Sequence, residues 1–186
     1  MNLCQSNLTI RNARPADAAQ LCTWWNDGAV MAHAGFPNGL GTTEEKVRQQ
    51  IEANTDETMR LHIIEHDNIP IGEMNYRNKG DGVAEIGIKI CDTAHQEKGL
   101  GTRLLAMFID ELFTHHGYEK IILDANAANP RAWHVYENKL GFTRVGFREN
   151  AWTDQLGNLQ SAIDYEMTAA DWQRNPQKPS AYVHLG

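Results

Sequence analysis

The stretch of this chain whose residue types and spacing most directly imply chemistry is Gln96-Glu97-Lys98-Gly99-Leu100-Gly101-Thr102. Two glycines one residue apart let a ligand approach the backbone closely, because neither carries a Cβ. The apolar residues Leu100, Leu104, Leu105, Phe108, Ile109 and Leu112 recur at helical spacing, with Arg103, Asp110 and Glu111 expected on the polar side. The glycines thus stand at a helix start, where unpaired N–H groups and the positive dipole end favour a phosphate. The chemistry implied is recognition of a ligand carrying a pyrophosphate.

The elements around this turn follow from pattern. Before it, Val83–Ile90 is rich in β-branched residues and apolar at Ala84, Ile86, Ile88 and Ile90, which predicts a strand. After the helix, Gly117 suits a C′ position and His115-His116 read as a solvated helix end. Ile121–Ala125 is a second apolar strand, and Asn129-Pro130 reads as N-cap and N1 of a short helix ending at Gly141. Upstream, Leu8–Arg11 is a strand, Pro15 opens a helix to about Trp25, and Thr42 or Thr43 caps another. Met59–Glu65 and Ile69–Tyr76 form a hairpin around Asp67-Asn68, and a second turn spans Asn78–Gly82. The connection Asn26–Gly41 is long and rich in glycine, which predicts either a disordered loop or a lid over an acceptor site. Phe142–Glu149 and Gln160–Thr168 are two final strands. The order implies a mixed α/β (α+β) sheet with helices on its faces, in one domain over 1–170, followed by a loosely ordered tail over 171–186.

Composition narrows the class. A chain of 186 residues with 41% hydrophobic content can bury a real core, and its apolar runs are too short to span a bilayer. No apolar leader precedes the first strand, so a cytoplasmic location and no membrane partner are expected. The three cysteines are widely spaced without a CxxC, against a disulfide framework or structural zinc. His62 and His66 lie too far apart on a strand to share an ion, and no metal is expected. The net charge of −7 without a basic cluster argues against nucleic acid and mildly favours a cationic substrate.

Two folds place glycines after a strand. The dinucleotide fingerprint requires a third glycine where this chain has Leu104, and it requires a tight turn where eight residues separate Ile90 from Gly99. The other pattern is Gln96-x-x-Gly99-x-Gly101, which resembles the signature of the GCN5-related N-acetyltransferase (GNAT) superfamily. The resemblance gains specificity from Asn129-Pro-Arg-Ala-x-x-x-Tyr136 and Leu140-Gly141-Phe142. It extends from about Leu8 to Thr168, and the ending is similar to the branch with ribosomal-protein N-terminal acetyltransferases and some aminoglycoside and polyamine acetyltransferases. Lys98 departs from the arginine that many members carry there.

The resemblance implies a GNAT fold: a mostly antiparallel central sheet in which the family's fourth and fifth strands, here Val83–Ile90 and Ile121–Ala125, are parallel and splayed. It implies acetyl-CoA in that gap, the pantetheine arm along Ile88 and Ile90, and the pyrophosphate on Gln96, Glu97, Lys98, Gly99, Leu100, Gly101 and Thr102. Asn129 and Tyr136 would also touch the cofactor. Tyr136 occupies the family's position for the acid that protonates the departing thiolate, and Glu85 that of a base in some members. Asp124, Glu73 and His134 are further base candidates by reach alone. A backbone N–H near Ile88–Ile90 could receive the oxyanion. Trp24, Trp25, Asp27, Phe36, Glu85, Asp124, Trp152 and Asp154 are candidate acceptor contacts, since aromatic faces and carboxylates suit an amine.

The expected function is N-acetyl transfer from acetyl-CoA to a primary amine, a protein N-terminus or a small molecule, by direct attack in a ternary complex. Cys91 is the one thiol near the thioester strand. Alternatives are an aminoglycoside or polyamine acetyltransferase, and a non-catalytic acyl-CoA sensor. A monomer or a homodimer is expected.

Overall fold

A computed structural model describes residues 1–96 and 98–185. Its strands are β1 (Asn2–Gln5), β2 (Leu8–Asn12), β3 (Met59–His66), β4 (Ile69–Gly80), β5 (Val83–Ile90), β6 (Lys120–Asn126), β7 (Thr143–Thr153), β8 (Leu159–Thr168) and β9 (Val183–His184). Its helices are α1 (Ala18–Trp25), α2 (Gly28–Met31), α3 (Glu44–Glu52), α4 (Leu100–Thr114), α5 (Pro130–Trp133) and α6 (Ala169–Gln173). One sheet runs in the order β7-β8-β6-β5-β4-β3-β2-β1-β9.

Neighbouring strands are antiparallel except β5 and β6, which pair in parallel over only three positions, Val83–Glu85 against Lys120–Ile122. Beyond Glu85 each strand keeps its outer neighbour: β5 stays on β4 as far as Ile90, and β6 stays on β8 as far as Asn126. The strands therefore part. The splay that the family resemblance implied is present.

Helices cover both faces. Along β3, Leu61 and Ile63 pack with α1 and α3 through Leu21, Trp25, Val47 and Ile51. The alternate residue Ile64 packs with α4 through Leu104, Phe108 and Leu112. α1 is preceded by a single 3-10 turn at Pro15–Asp17, and Thr43 caps α3 by accepting from the Lys46 N–H. The hairpin turn at Asp67-Asn68 has both residues at positive φ, which lets its twist match the strands.

Several expectations are corrected. Asp110 and Glu111 do not lie on a polar side but are buried, at 7% and 3% exposure. The segment after residue 170 causes this, because it is not a loose tail. Trp172 is fully buried and its Nε1 donates to Asp110 Oδ1 at 2.9 Å. Tyr182 donates its hydroxyl toward both acids at 3.2 Å, and β9 adds to the edge of β1. The N-terminal residues before Leu8 form a strand because β2 offers them an edge. β4 and β7 run longer than the pattern predicted, to Gly80 and Thr153.

The connection Asn26–Gly41 is not structureless. It contains α2 and a 3-10 turn at Ala32–Ala34, and hydrogen bonds anchor it at both ends. Asn26 exchanges two bonds of 2.9 Å with Thr42, and the Leu40 N–H reaches Trp25 O at 2.7 Å.

His62 is fully buried, with its ring edge-on to Phe108 at 5.1 Å. Burial pushes its pKa down to about 3. The fold holds the neutral ring, whereas the unfolded chain binds a proton below about pH 6.5. Stability carried by neutral His62 is therefore complete above that value and falls as pH falls toward 3. A denaturant titration should show stability dropping by about 2 kcal/mol more from pH 7 to about 5 in the native protein than in His62→Phe. Parallel pH profiles would show that His62 does not carry this loss.

Candidate active site

The gap between β5 and β6 organises the site. Ile86–Ile90 have ladder partners on the β4 side alone, so the edge facing β6 presents backbone groups that another extended chain can use. Ile88 and Ile90 are half-buried and pack against the α4 core, which fixes the strand's orientation.

The turn below the gap is held by side chains. Asp92 caps a 3-10 turn at Thr93–His95, accepting from the Ala94 N–H at 2.9 Å. Gln96 Nε2 donates to Ile90 O, and Gln96 Oε1 accepts from Arg131 Nη1, both at 2.9 Å. Gln96 is thus a strut from the end of β5 to the start of α5. Gly99 sits at φ 72°, a left-handed conformation that a side chain would strain. It brings no capping side chain to α4, so the first-turn N–H groups are left for a ligand. A Cβ at Gly101 would meet nothing within 4 Å. No protein atom demands glycine there, which leaves room for a group from outside. Leu100 points into the core and can serve only through its backbone, while Lys98 is exposed and Thr102 half-buried. The expected contact at Glu97 lies outside the described residues.

The far wall comes from α5. Asn129 caps it by accepting from the Ala132 N–H at 3.2 Å. The helix then widens into a π-type turn at His134–Lys139, a distortion frequent at functional sites. Tyr136 lies in that turn against Phe142 and Tyr165, with ring centroids at 6.1 and 5.8 Å. Burial, then the charge of Asp124, pushes its phenol up to about 12. The phenol carries its proton throughout the neutral range.

On the opposite face of β5 from α4 stands a buried charge pair. Glu73 on β4 is directly across from Lys89 on β5 and is 2% exposed. Glu73 Oε1 accepts from Lys89 Nζ at 2.9 Å and from Trp25 Nε1 at 3.0 Å. Glu73 Oε2 is buried with no partner among the described residues. Trp25 is therefore an anchor for this carboxylate. Nearby Cys91 is buried, and burial followed by the Glu73 charge pushes its thiol up to about 12.

The remaining candidates separate. Glu85 sits at the last position of β5 that pairs with β6 and is bonded to Lys79 at 3.2 Å, with Arg77 at 3.9 Å. Asp124 is half-exposed and bonded to Arg148 at 2.8 Å. Asp27 caps α2, and Asp154 organises the β7–β8 turn by accepting from the Leu156 and Asn158 N–H groups. His134 contacts Asn138 at 3.1 Å. Phe36 and Trp24 pack with the α1–α3 core.

Trp152 packs against Gly35, where a Cβ would come within 2.4 Å of the indole. Gln155 tightens this junction: it donates to Gly39 O at 3.0 Å and accepts from the Asn38 N–H at 2.9 Å. The 26–41 connection is thereby fastened to the β7–β8 turn.

The Lys89–Glu73 pair and the Gln155 clasp were not singled out by motif. The pair leaves a trace: one acid and one base interrupt adjacent apolar strands, IPIGEM and IGIKI, and a hairpin register brings them together. Gln155 leaves none, because its partners are backbone atoms more than a hundred residues away.

A family profile described as acetyltransferase (GNAT) domain matches residues 7–143. Among solved structures, spermidine N-acetyltransferase from Vibrio cholerae in complex with CoA and spermine superposes with a TM-score of 0.81 at 22% identity, covering 91% of this chain and 99% of that one. A ribosomal L7/L12 alpha-N-protein acetyltransferase in complex with coenzyme A gives 0.80 at 16%, covering 92% and 99%. A GNAT-family acetyltransferase from Streptococcus pneumoniae gives 0.71 at 21%, covering 87% and 99%. These three share the fold.

Gly101→Glu tests the turn. Because the space around position 101 is open, the variant should fold with stability within about 1 kcal/mol of the native protein. Calorimetric titration should nevertheless show acetyl-CoA binding lost by at least a hundredfold, from steric and charge conflict with the pyrophosphate. Retained affinity would remove the turn from the site.

Proposed function

The chain belongs to the GNAT acetyltransferase family, enzymes that draw the acetyl group from acetyl-CoA, and from that premise we propose that it acetylates a slim primary alkylamine by direct transfer. The observation that carries the acceptor class is the buried Glu73 carboxylate on the face of β5 opposite α4, with one oxygen unpartnered among the described residues. A buried acceptor oxygen without a donor is costly, and an incoming ammonium supplies both donor and charge. Lys89 is paired with Glu73 in the meantime and can yield part of its bond to the arriving cation. The clasp between the 26–41 connection and the β7–β8 turn supports a narrow acceptor over a bulky one.

Acetyl-CoA supplies an activated thioester. The fit rests on the unpaired β5 edge, the uncapped start of α4 and the space at Gly101. Backbone N–H groups of β5 beyond Glu85 orient the acyl group and can receive negative charge on its oxygen. Glu73 holds the amine and takes up its proton directly or through water.

Tyr136 holds a proton at its phenol for the departing sulfur. The phenol is protonated because burial lifts it to about 12, and it would pass that proton to the sulfur as the C–S bond breaks, regaining one from solvent afterwards. Cys91 itself stays protonated, which supports direct attack over an acyl-enzyme.

Steady-state kinetics on an amine panel, read by thiol release, tests the assignments. Tyr136→Phe should lower kcat by roughly 10- to 100-fold with little change in acetyl-CoA affinity. An unchanged kcat would remove Tyr136 as the acid.

Glu73→Gln should lower kcat/KM for the amine at least tenfold while leaving acetyl-CoA affinity intact. Alkylamines should be turned over with higher kcat/KM than peptides with an unblocked N-terminus. The reverse preference would assign the site to a protein acceptor.

A further inference from the structure

At the far end of α4 from the glycine turn, three side chains converge that N-acetyl transfer does not use: Glu111, His115 and His184. Their ligand atoms all lie within 4.8 Å of one another. Glu111 Oε2 is 3.0 Å from His115 Nδ1 and 3.5 Å from His184 Nε2. The two imidazoles stand edge to face with centroids at 4.7 Å. Glu111 and His115 are four apart on one helical face, and β9 brings His184 to them by pairing with β1. We propose that Glu111, His115 and His184 form a divalent-metal site for a zinc-class cation.

Geometry supports this assignment. Zinc bonds to nitrogen and oxygen of about 2.0–2.2 Å in a tetrahedron place neighbouring ligand atoms roughly 3.3–3.5 Å apart, near the two carboxylate–imidazole separations of 3.0 and 3.5 Å, while the two ring nitrogens lie within 4.8 Å of each other. Two imidazoles and a carboxylate are the donors that suit such an ion, and the exposed side of the two histidines leaves the fourth position to water.

Charge supports it as well. Glu111 is 4% exposed at its side chain, and among the described residues its ion-pair partners are all histidines: His115, His184 and His116 at 4.0 Å. A buried carboxylate needs a compensating charge, and among the described residues no lysine or arginine pairs with this one. A metal ion supplies that charge and needs the imidazoles neutral. At His115 it replaces the contact from Nδ1 to Thr114 Oγ1, 2.8 Å, while that hydroxyl keeps its bond to Asp110 O. The site would tie the end of α4 to the C-terminal strand and add to stability by linkage.

The test uses the full chain, stripped with chelator, at about pH 7.5, titrated with zinc sulfate by calorimetry and followed by thermal melting. One equivalent should bind with micromolar or tighter affinity and raise Tm. His115→Ala and His184→Ala should each weaken binding at least tenfold and remove the Tm rise, whereas His33→Ala should not. Melting without metal shows that the variants fold, and His184→Gln serves if His184→Ala does not. Cobalt substitution should give a tetrahedral spectrum without thiolate charge-transfer bands. Absence of one-equivalent binding, binding untouched in the His115→Ala/His184→Ala double variant, or a thiolate spectrum from a cysteine would each overturn the site.

Discussion

Everything in this active site depends on a ladder that stops. β5 and β6 share three register positions and then separate, because each is committed to a neighbour on its other side. Backbone N–H and C=O groups in the middle of a sheet demand partners, so an unpaired inner edge is either hydrated or filled by a ligand with a strand's hydrogen-bonding pattern. The surrounding structure keeps that edge in place. α4 packs on Ile88 and Ile90, Gln96 braces the end of β5 against α5, and Gly99 turns the chain so that the start of α4 faces the same gap.

Glu73 and Asp110 are both buried carboxylates, and their surroundings differ. Asp110 has Trp172 and Tyr182 as donors and Lys178 as an ion-pair partner at 3.7 Å, and its burial is a structural tie between α4 and the C-terminal segment. Glu73 has two donors on one oxygen and, among the described residues, none on the other, beside the open edge of β5. A fully satisfied acid stabilises a fold, whereas a half-satisfied one is poised to receive something. That difference separates a packing residue from a functional one more sharply than charge or depth does.

Local signals were the readable part of the sequence. The period of Val83–Ile90, the change of period at Leu100 and the Asn129-Pro130 helix start all reappear in the structure, since each depends on residues within one turn or one strand. Asp110 and Glu111 misled because helical periodicity assumes one solvated face, and only the returning chain beyond residue 170 covers it. For the 26–41 connection, of the two readings the disordered one is wrong: local bonds of Asn26 and Leu40 order it, and Gln155 and Trp152, distant in sequence, fasten it. Glu85 fits the position that the resemblance implies for a base, yet Lys79 and the cross-strand Arg77, both on β4, hold it, while the less conspicuous Glu73 lies across from Lys89 of β5.

The central claim is that acetyl-CoA completes the sheet along the inner edge of β5. Amide hydrogen exchange with and without acetyl-CoA tests it most directly. Acetyl-CoA should bring new protection to amides within Ile86–Ile90 that are not bonded to β4, together with Gly99–Thr102, and no change in β1 and β2. Saturating acetyl-CoA that leaves those amides exchanging as before, or that protects a different part of the molecule, would contradict it.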